Sequence, residues 1–115
     1  MHVQIMLFDG PRSAEAVEAS TRASRERIAP LIESDPELRT RLLGAFHGLG
    51  PDGAECVVVL AHDASDLDAL QRLVMTSELL PGEDPALLSG PSRVDRFSTS
   101  DVFGPLAGLL TGADR

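Results

Sequence analysis

The strongest constraint on the fold is a pair of neighbouring strand patterns joined by a short turn. The segment AECVVVLAH, residues 54–62, is the most strand-like part of the chain because it is apolar and rich in β-branched valine. It follows AFHGL, residues 45–49, and only the turn sequence GPDG separates the two. Strands joined by so short a turn pair antiparallel. The sequence therefore predicts a β-hairpin near the middle of the chain.

A strand and two helices are predicted before this hairpin. The opening HVQIMLF has the length and bulk of a strand that is apolar on both faces. Ser13 is the predicted N-cap of a helix that runs to about Ala29 and is ended or kinked by Pro30. Asp35 is expected to cap a short second helix that Gly44 stops.

A helix and a strand are predicted after the hairpin. The segment DASDLDALQRLVMTS has its apolar residues at helical spacing, and Ser65 with Asp68 resembles a capping box. The segment SRVDRFSTSDVF is the last predicted strand. The order strand, helix, strand, strand, helix, strand is the ferredoxin-like βαββαβ pattern of the α+β class. That pattern predicts a four-stranded antiparallel sheet with its helices on one face.

One face of such a sheet is left without helices. The strands here are apolar on both sides, which a sheet with one solvated face would not tolerate. We therefore expect a homodimer in which a second copy covers that face, which is the arrangement of a dimeric α/β barrel. Residues 1–103 are predicted to form a single domain, and 104–115 a leucine-bearing tail for which contact with the dimer partner is one expected role.

Composition excludes several classes of function. The net charge is −8, with ten basic residues among eighteen acidic ones, so neither nucleic acid nor an anionic membrane is an expected partner. No apolar run is long enough to cross a bilayer and no secretory signal is visible, which predicts a cytoplasmic protein. The single cysteine, Cys56, lies in an apolar run, where a packing role is expected rather than redox chemistry.

Absent residue types narrow the chemistry further. The chain has no Lys, Asn, Tyr or Trp, and all ten basic residues are arginine, a bias that fits a GC-rich bacterial genome. A lysine Schiff base, a P-loop lysine and a tyrosine acid are therefore excluded. No cofactor is predicted.

From His2 to about Asp101 the chain resembles the dimeric α/β-barrel superfamily, near the antibiotic biosynthesis monooxygenase-like domains. The similar segments are the opening VQIMLF, the strand-to-helix junction VVVLAHDASDLDAL, and SEL at the end of the second long helix. Members of that group that oxidise aromatic polyketides or quinones, or degrade haem, use Trp, Asn, Tyr or His in the cavity. The position after VVVLA, often Trp in such domains, is His62 here. The resemblance thus implies the fold rather than one activity.

Two histidines are the candidate catalytic residues. His47 projects to the same side of its strand as Ala45 and Leu49, so it is either a core histidine or a proton-transfer group in a cavity. His62 ends the next strand, where it either meets a ligand or is simply solvated. A metal site would require histidines from separate strands to converge without any local ligand spacing, so none is predicted.

The first helix supplies further ligand-binding candidates. Small side chains, including Thr21 and Ser24, occupy its apolar stripe, which indicates either close approach to the sheet or a cavity beneath the helix. The predicted ligand-binding residues are Thr21, Ser24, Phe46 and His47, and the expected ligand is small and largely apolar.

The segment 77–91 is an unusually apolar connection. Two Leu-Leu pairs are expected to anchor it, with Gly82, Glu83 and Asp84 at an exposed tip. EDPALL is expected to make a helical turn capped by Asp84. Three roles remain open: packing on the protein's own core, covering the dimer partner, or closing over a ligand cavity.

Two functions of different class follow from these observations. One is a non-catalytic dimeric module that binds a small apolar ligand or stabilises a partner. The alternative is a cofactor-independent monooxygenase-like or related small-molecule enzyme in which His47 or His62 moves a proton. A cavity connected to either histidine is the feature that distinguishes them.

Overall fold

The computed structural model describes residues 1–113 of the chain. Its strands are β1 (His2–Phe8), β2 (Leu42–Leu49), β3 (Glu55–Ala61) and β4 (Arg93–Ser98). Its α-helices are α1 (Ala14–Arg22), α2 (Ala29–Ser34), α3 (Pro36–Arg41), α4 (Ala64–Thr76) and α5 (Pro105–Ala113). A π-helical segment (Ala23–Ile28) joins α1 to α2, and Pro51–Gly53 and Pro85–Leu87 form 3₁₀ turns.

The four strands form one antiparallel sheet in the order β2-β3-β1-β4. β2 and β3 are the predicted hairpin, in which Leu49 pairs with Glu55 across the turn. This topology confirms the ferredoxin-like prediction.

The strand registers define the two faces of the sheet, because directly opposite residues share a face. On one face, Val59 and Ala61 form a core cluster with Leu67 and Leu70 of α4. We call the opposite face the outer sheet face. It carries a set of apolar side chains from all four strands, which are Val3, Ile5, Leu7, Phe46, Val58, Leu60 and Phe97. Phe46 and Phe97 are each 54% exposed.

The first helical region extends beyond its predicted end. The helix does not stop at Pro30 but continues to Ser34 through the π-helical segment. Ala29 donates its backbone N–H to Ser24 O, five residues back, so the wider π turn is completed just before Pro30, which has no N–H to donate.

The next boundary also differs from its prediction. Asp35 caps α3 as predicted, accepting the backbone N–H groups of Glu37 and Leu38. However, α3 ends at Arg41 rather than at Gly44, because Leu42 already pairs with Ala61 in the sheet. Strand pairing therefore replaces the expected last helical turn.

The cap of α4 is shifted from its predicted position. Asp63 precedes the helix, and its N–H donates to Asp66 Oδ2 at 3.0 Å. The predicted pair, Ser65 and Asp68, lies two residues too late. Both pairs have the required three-residue spacing, and the end of β3 at Ala61 decides between them.

The segment 77–91 is attached to the first helical region. Glu83, predicted at an exposed tip, instead has a side chain only 2% exposed, and it accepts from Arg27 Nε at 2.9 Å. Arg27 also donates to Ser77 Oγ at 2.7 Å, and Arg22 donates to Pro81 O at 3.0 Å. The predicted turn is present, since Asp84 Oδ1 accepts from Ala86 N at 2.9 Å. The prediction for Glu83 failed because its partner lies 56 residues away in sequence.

The C-terminal region, predicted only as a leucine-bearing tail, forms the helix α5. Phe103, just before it, is 84% exposed, and Leu106 and Leu109 are exposed as well. Positions 114–115 of the predicted tail lie outside the described residues. Within residues 1–113, no helix has both the length and the apolar character needed to cross a membrane.

Candidate functional site

A buried carboxylate lies where the hairpin meets the first helix. Glu55 begins β3 on the same side as Val57 and Val59, and its side chain is 0% exposed. Oε1 accepts from Arg12 Nη1 at 2.7 Å and from Ser20 Oγ at 2.6 Å, and Oε2 contacts His47 Nε2. We call Arg12, Ser20, His47 and Glu55 the Glu55 cluster.

Three different parts of the chain bring these side chains together. Arg12 lies in the turn after β1, where its backbone N–H donates to Asp52 O at 2.8 Å and its guanidinium lies 5.2 Å from the centre of the Phe8 ring. Ser20 lies on α1. His47 pairs with Val57 in the sheet, which places it beside Glu55 on the helix-covered face.

The cluster keeps Glu55 ionised. Burial favours the neutral acid and so acts to raise the pKa of Glu55. Hydrogen bonds from Ser20, His47 and Arg12, together with the positive charge of Arg12, outweigh burial and leave this pKa below its ordinary value. A buried carboxylate at neutral pH is thus balanced by one guanidinium and two further polar side chains.

His47 is the most exposed member of the cluster. Its side chain is 30% exposed, and Glu55 is its hydrogen-bond partner within the part of the chain that the structure describes. An ionised carboxylate only accepts, so neutral His47 carries its proton on Nε2, and Nδ1 presents a lone pair. Such an imidazole can accept a proton or a hydrogen bond from another molecule.

A cavity of about 280 Å³ lies at the end of the sheet where the hairpin turns. Its lining is mainly apolar, with the side chains and backbone of Leu7, Phe8, Asp9, Gly48, Leu49, Gly50, Ala54, Glu55 and Cys56. Glu55 belongs to both this cavity and the Glu55 cluster. His47 and His62 are not part of the lining.

A second cavity, of about 350 Å³, lies between α3 and α4. It is more polar, and its lining includes Asp35, Glu37, Asp66 and Arg72. None of the predicted site residues lines it. Within residues 1–113, no group of three or more His, Cys, Asp or Glu side chains is arranged to hold a metal ion.

The structure separates the predicted site residues. Phe46 lies on the outer sheet face opposite Val58, while its neighbour His47 points to the helices. Thr21 and Ser24 are half-buried on the first helical region, but the hydroxyl that reaches the cluster is that of Ser20.

His62 lies in a different part of the sheet from His47. It follows β3, five positions beyond the residue that pairs with His47, or about 17 Å at the usual rise of a strand. Its N–H donates to Arg41 O at 3.2 Å. The two candidate histidines therefore cannot act on one small ligand.

Sequence reasoning did not identify Glu55 or Arg12 as site residues. A detectable signal for Glu55 was its position, since it lies two and four residues before Val57 and Val59 on the side of β3 that packs inward. No comparable local signal marks Arg12, because its partner is 43 residues away.

Comparisons with known proteins address the fold. No protein-family model matches this sequence, and no curated protein matches it either. The chain is similar to the crystal structure of a dimeric ferredoxin-like protein from an uncultured marine organism, with a TM-score of 0.59 and 9% identity over 90% of this chain and 91% of the other. It is also similar to an uncharacterised NIPSNAP domain protein from Burkholderia xenovorans, with a TM-score of 0.51 and 15% identity over 91% of this chain and 99% of the other. At these identities the likeness concerns the fold, and the chain has a ferredoxin-like fold.

Proposed function

We propose that the protein is a homodimer that binds a small, largely apolar molecule. The observation that carries the proposal is the outer sheet face, where apolar side chains from four strands lie together and two phenylalanines remain half exposed. Such a face is unusual for a monomer in water. A second copy is the occupant that we propose, and the similar marine protein, described as dimeric, supports it.

The C-terminal region is the second part of the proposed interface. Phe103, just before α5, and Leu106 and Leu109 within it are exposed apolar side chains. Contact with the partner would remove them from water, and their burial would add to that of the outer sheet face. Residues 1–103 then form the domain and the tail extends its interface.

The proposed ligand site is the 280 Å³ cavity at the end of the sheet. Its lining is mainly apolar, and Gly48 and Gly50 contribute to it without a side chain. This volume is near the lower end of the range for small-molecule sites, which indicates a ligand of modest size.

Two measurements test this proposal. Light scattering at micromolar concentration should give twice the chain mass of 12.2 kDa. Native mass spectrometry of freshly purified protein should detect a co-purifying small molecule. A folded monomer would contradict the dimer, and dimers that neither retain nor bind any apolar compound would contradict the ligand site.

An enzyme that transfers a proton through His47 is the second candidate. The contact between His47 Nε2 and the ionised Glu55 favours it, because that contact leaves Nδ1 available as a general base. With a substrate recovered by co-purification, His47→Ala should lower turnover roughly a hundredfold. His62→Ala, on the distant part of the sheet, should change it little. Equal turnover in wild type and His47→Ala would exclude this role.

A further inference from the structure

The orientation of His47 indicates which ligands the protein takes, an inference that rests on the proposed ligand binding. We propose that the ligand carries a hydroxyl group that donates to His47 Nδ1, as in a phenol or an enol. Glu55 is then a positioning residue for the hydroxyl, since it holds the imidazole that receives the hydrogen bond.

The first step of the argument is the tautomer. Glu55 Oε1 is engaged by Arg12 and Ser20, so Oε2 is the oxygen that faces the imidazole. A carboxylate in this position orients the ring and holds the proton on Nε2. In this tautomer Nδ1 is an acceptor, and it can pair only with a donor.

The second step is the surroundings of the imidazole. Leu49 lies two residues further along β2, on the same face as His47, and it also lines the cavity. Leu49 is exposed, so its side chain is available to a ligand that extends from the cavity toward the histidine. A ligand whose apolar body occupies the cavity would therefore have its polar end close to His47.

The third step is charge. Arg12 already balances the carboxylate of Glu55, so the cluster needs no charged group from a ligand to neutralise it. We therefore expect Nδ1 to accept a hydrogen bond from a neutral hydroxyl. This favours weakly acidic hydroxyls over carboxylic acids, which are ionised at neutral pH and have no proton to donate.

The tautomer can be measured without any ligand. In ¹⁵N-labelled protein at alkaline pH, long-range ¹H–¹⁵N correlations should show His47 protonated at Nε2. Glu55→Gln should weaken that preference, whereas Glu15→Gln, an exposed change on α1, should leave it intact. A neutral His47 protonated at Nδ1 in the wild type would overturn the inference.

Ligand discrimination is the second test, using 4-methylphenol, which stays neutral at pH 7, and 4-methylanisole, in which a methyl group replaces the hydroxyl proton. Wild type should bind the phenol about tenfold more tightly than the ether, as expected for one buried hydrogen bond. His47→Phe should lose this preference but still bind the ether, while His2→Phe, on β1, should keep it.

The outcomes distinguish a failure of the hydroxyl inference from a failure of the proposed ligand binding. Equal affinity of wild type for the two probes overturns the hydroxyl inference and leaves apolar binding intact. Binding of neither probe contradicts the proposed ligand site itself. If His47→Phe does not fold, the wild-type tautomer and the wild-type preference between probes still decide the question.

Discussion

Glu55 shows how a charged side chain can be buried completely without being left unpaired. Each of its oxygens has a donor, and one of those donors is a guanidinium that itself is largely shielded. Replacing such a pair with apolar residues can be neutral, but removing only one partner leaves a buried charge. Substitutions of single residues should therefore lower the stability of this protein most when they fall in the Glu55 cluster.

We expect Glu55→Gln to lower the free energy of unfolding by roughly 2–3 kcal/mol, because Arg12 would lose its charged partner inside the protein. Urea denaturation followed by circular dichroism measures the change. Glu15→Gln, on the exposed first turn of α1, is the matched control and should change stability little. Equal stability of the two variants would mean that the cluster does not contribute.

The pH dependence of stability should also report on Glu55. Because its pKa in the folded protein lies below its ordinary value, its contribution is complete above that value and is lost as the pH falls through the folded pKa. The denaturant concentration at the unfolding midpoint of the wild type should therefore decrease as the pH is lowered below about 4.3, the usual pKa of a glutamate. Glu55→Gln should lose less stability over the same acidic range. A parallel decline in both proteins would assign the acid sensitivity to other carboxylates.

Residue burial was predictable from sequence only where the local pattern determines it. His47 was expected on the same side of its strand as Ala45 and Leu49 because alternation along β2 is a local property, and the register places it there, although it is neither in the core nor in the cavity lining. Glu83 was expected in water because it lies in a turn sequence, but its partner Arg27 comes from a helix far away in sequence. Long-range pairs of this kind leave no periodic signal.

The segment 77–91 is the element whose conformation depends most on such a pair. Glu83 Oε2 accepts from Arg27 and also from the backbone N–H of Leu80, at 2.7 Å. One carboxylate oxygen thus fixes the segment to the first helical region and closes its own turn. The segment is held by side chains rather than by strand pairing.

Glu83→Ala should therefore release this segment while leaving the sheet in place. Hydrogen exchange should become faster at Leu80, which loses its acceptor, and the free energy of unfolding should fall by about 3 kcal/mol because Arg27 is left unpaired. Glu78→Ala, an exposed change in the same segment, is the control. Unchanged exchange at Leu80 would mean that other contacts hold the segment.

Element boundaries followed the sequence at two caps and departed from it where tertiary contacts, or a competing capping pair at the start of α4, decide them. Asp35 and Asp84 cap their turns as predicted, since an Asp before a Pro has a local preference for that position. The π-helical segment was not predictable, because its wider hydrogen bonds have no distinct side-chain pattern. The end of α3 was set by strand pairing.

At the scale of the whole molecule, neighbouring residues of one strand have different surroundings because they lie on opposite faces of the sheet. Val59 is 3% exposed in the core beside α4, whereas Val58 lies on the outer sheet face. The fold order and the uncovered face could be read from the sequence. The assignment of each valine to a face required the register.

This difference gives a paired test of the proposed dimer. Val59→Asp should unfold the protein, because it places an unpaired charge in the core. Val58→Asp should instead give a folded monomer, since it places the charge in the proposed interface. Circular dichroism reports folding and light scattering reports mass. A Val58→Asp protein that remains dimeric would show that the outer sheet face is not the interface.

The turn between β2 and β3 limits how freely the sequence can diverge. Gly53 has φ of 76°, and an added methyl group would lie 2.5 Å from the carbonyl oxygen of Arg12. By contrast, a side chain at Gly90 would meet nothing within 4 Å. Because the same Arg12 holds Glu55, a substitution at this surface turn would displace a buried charge network. Among homologues, position 53 should thus remain glycine while position 90 varies, although both positions lie at the surface of the protein.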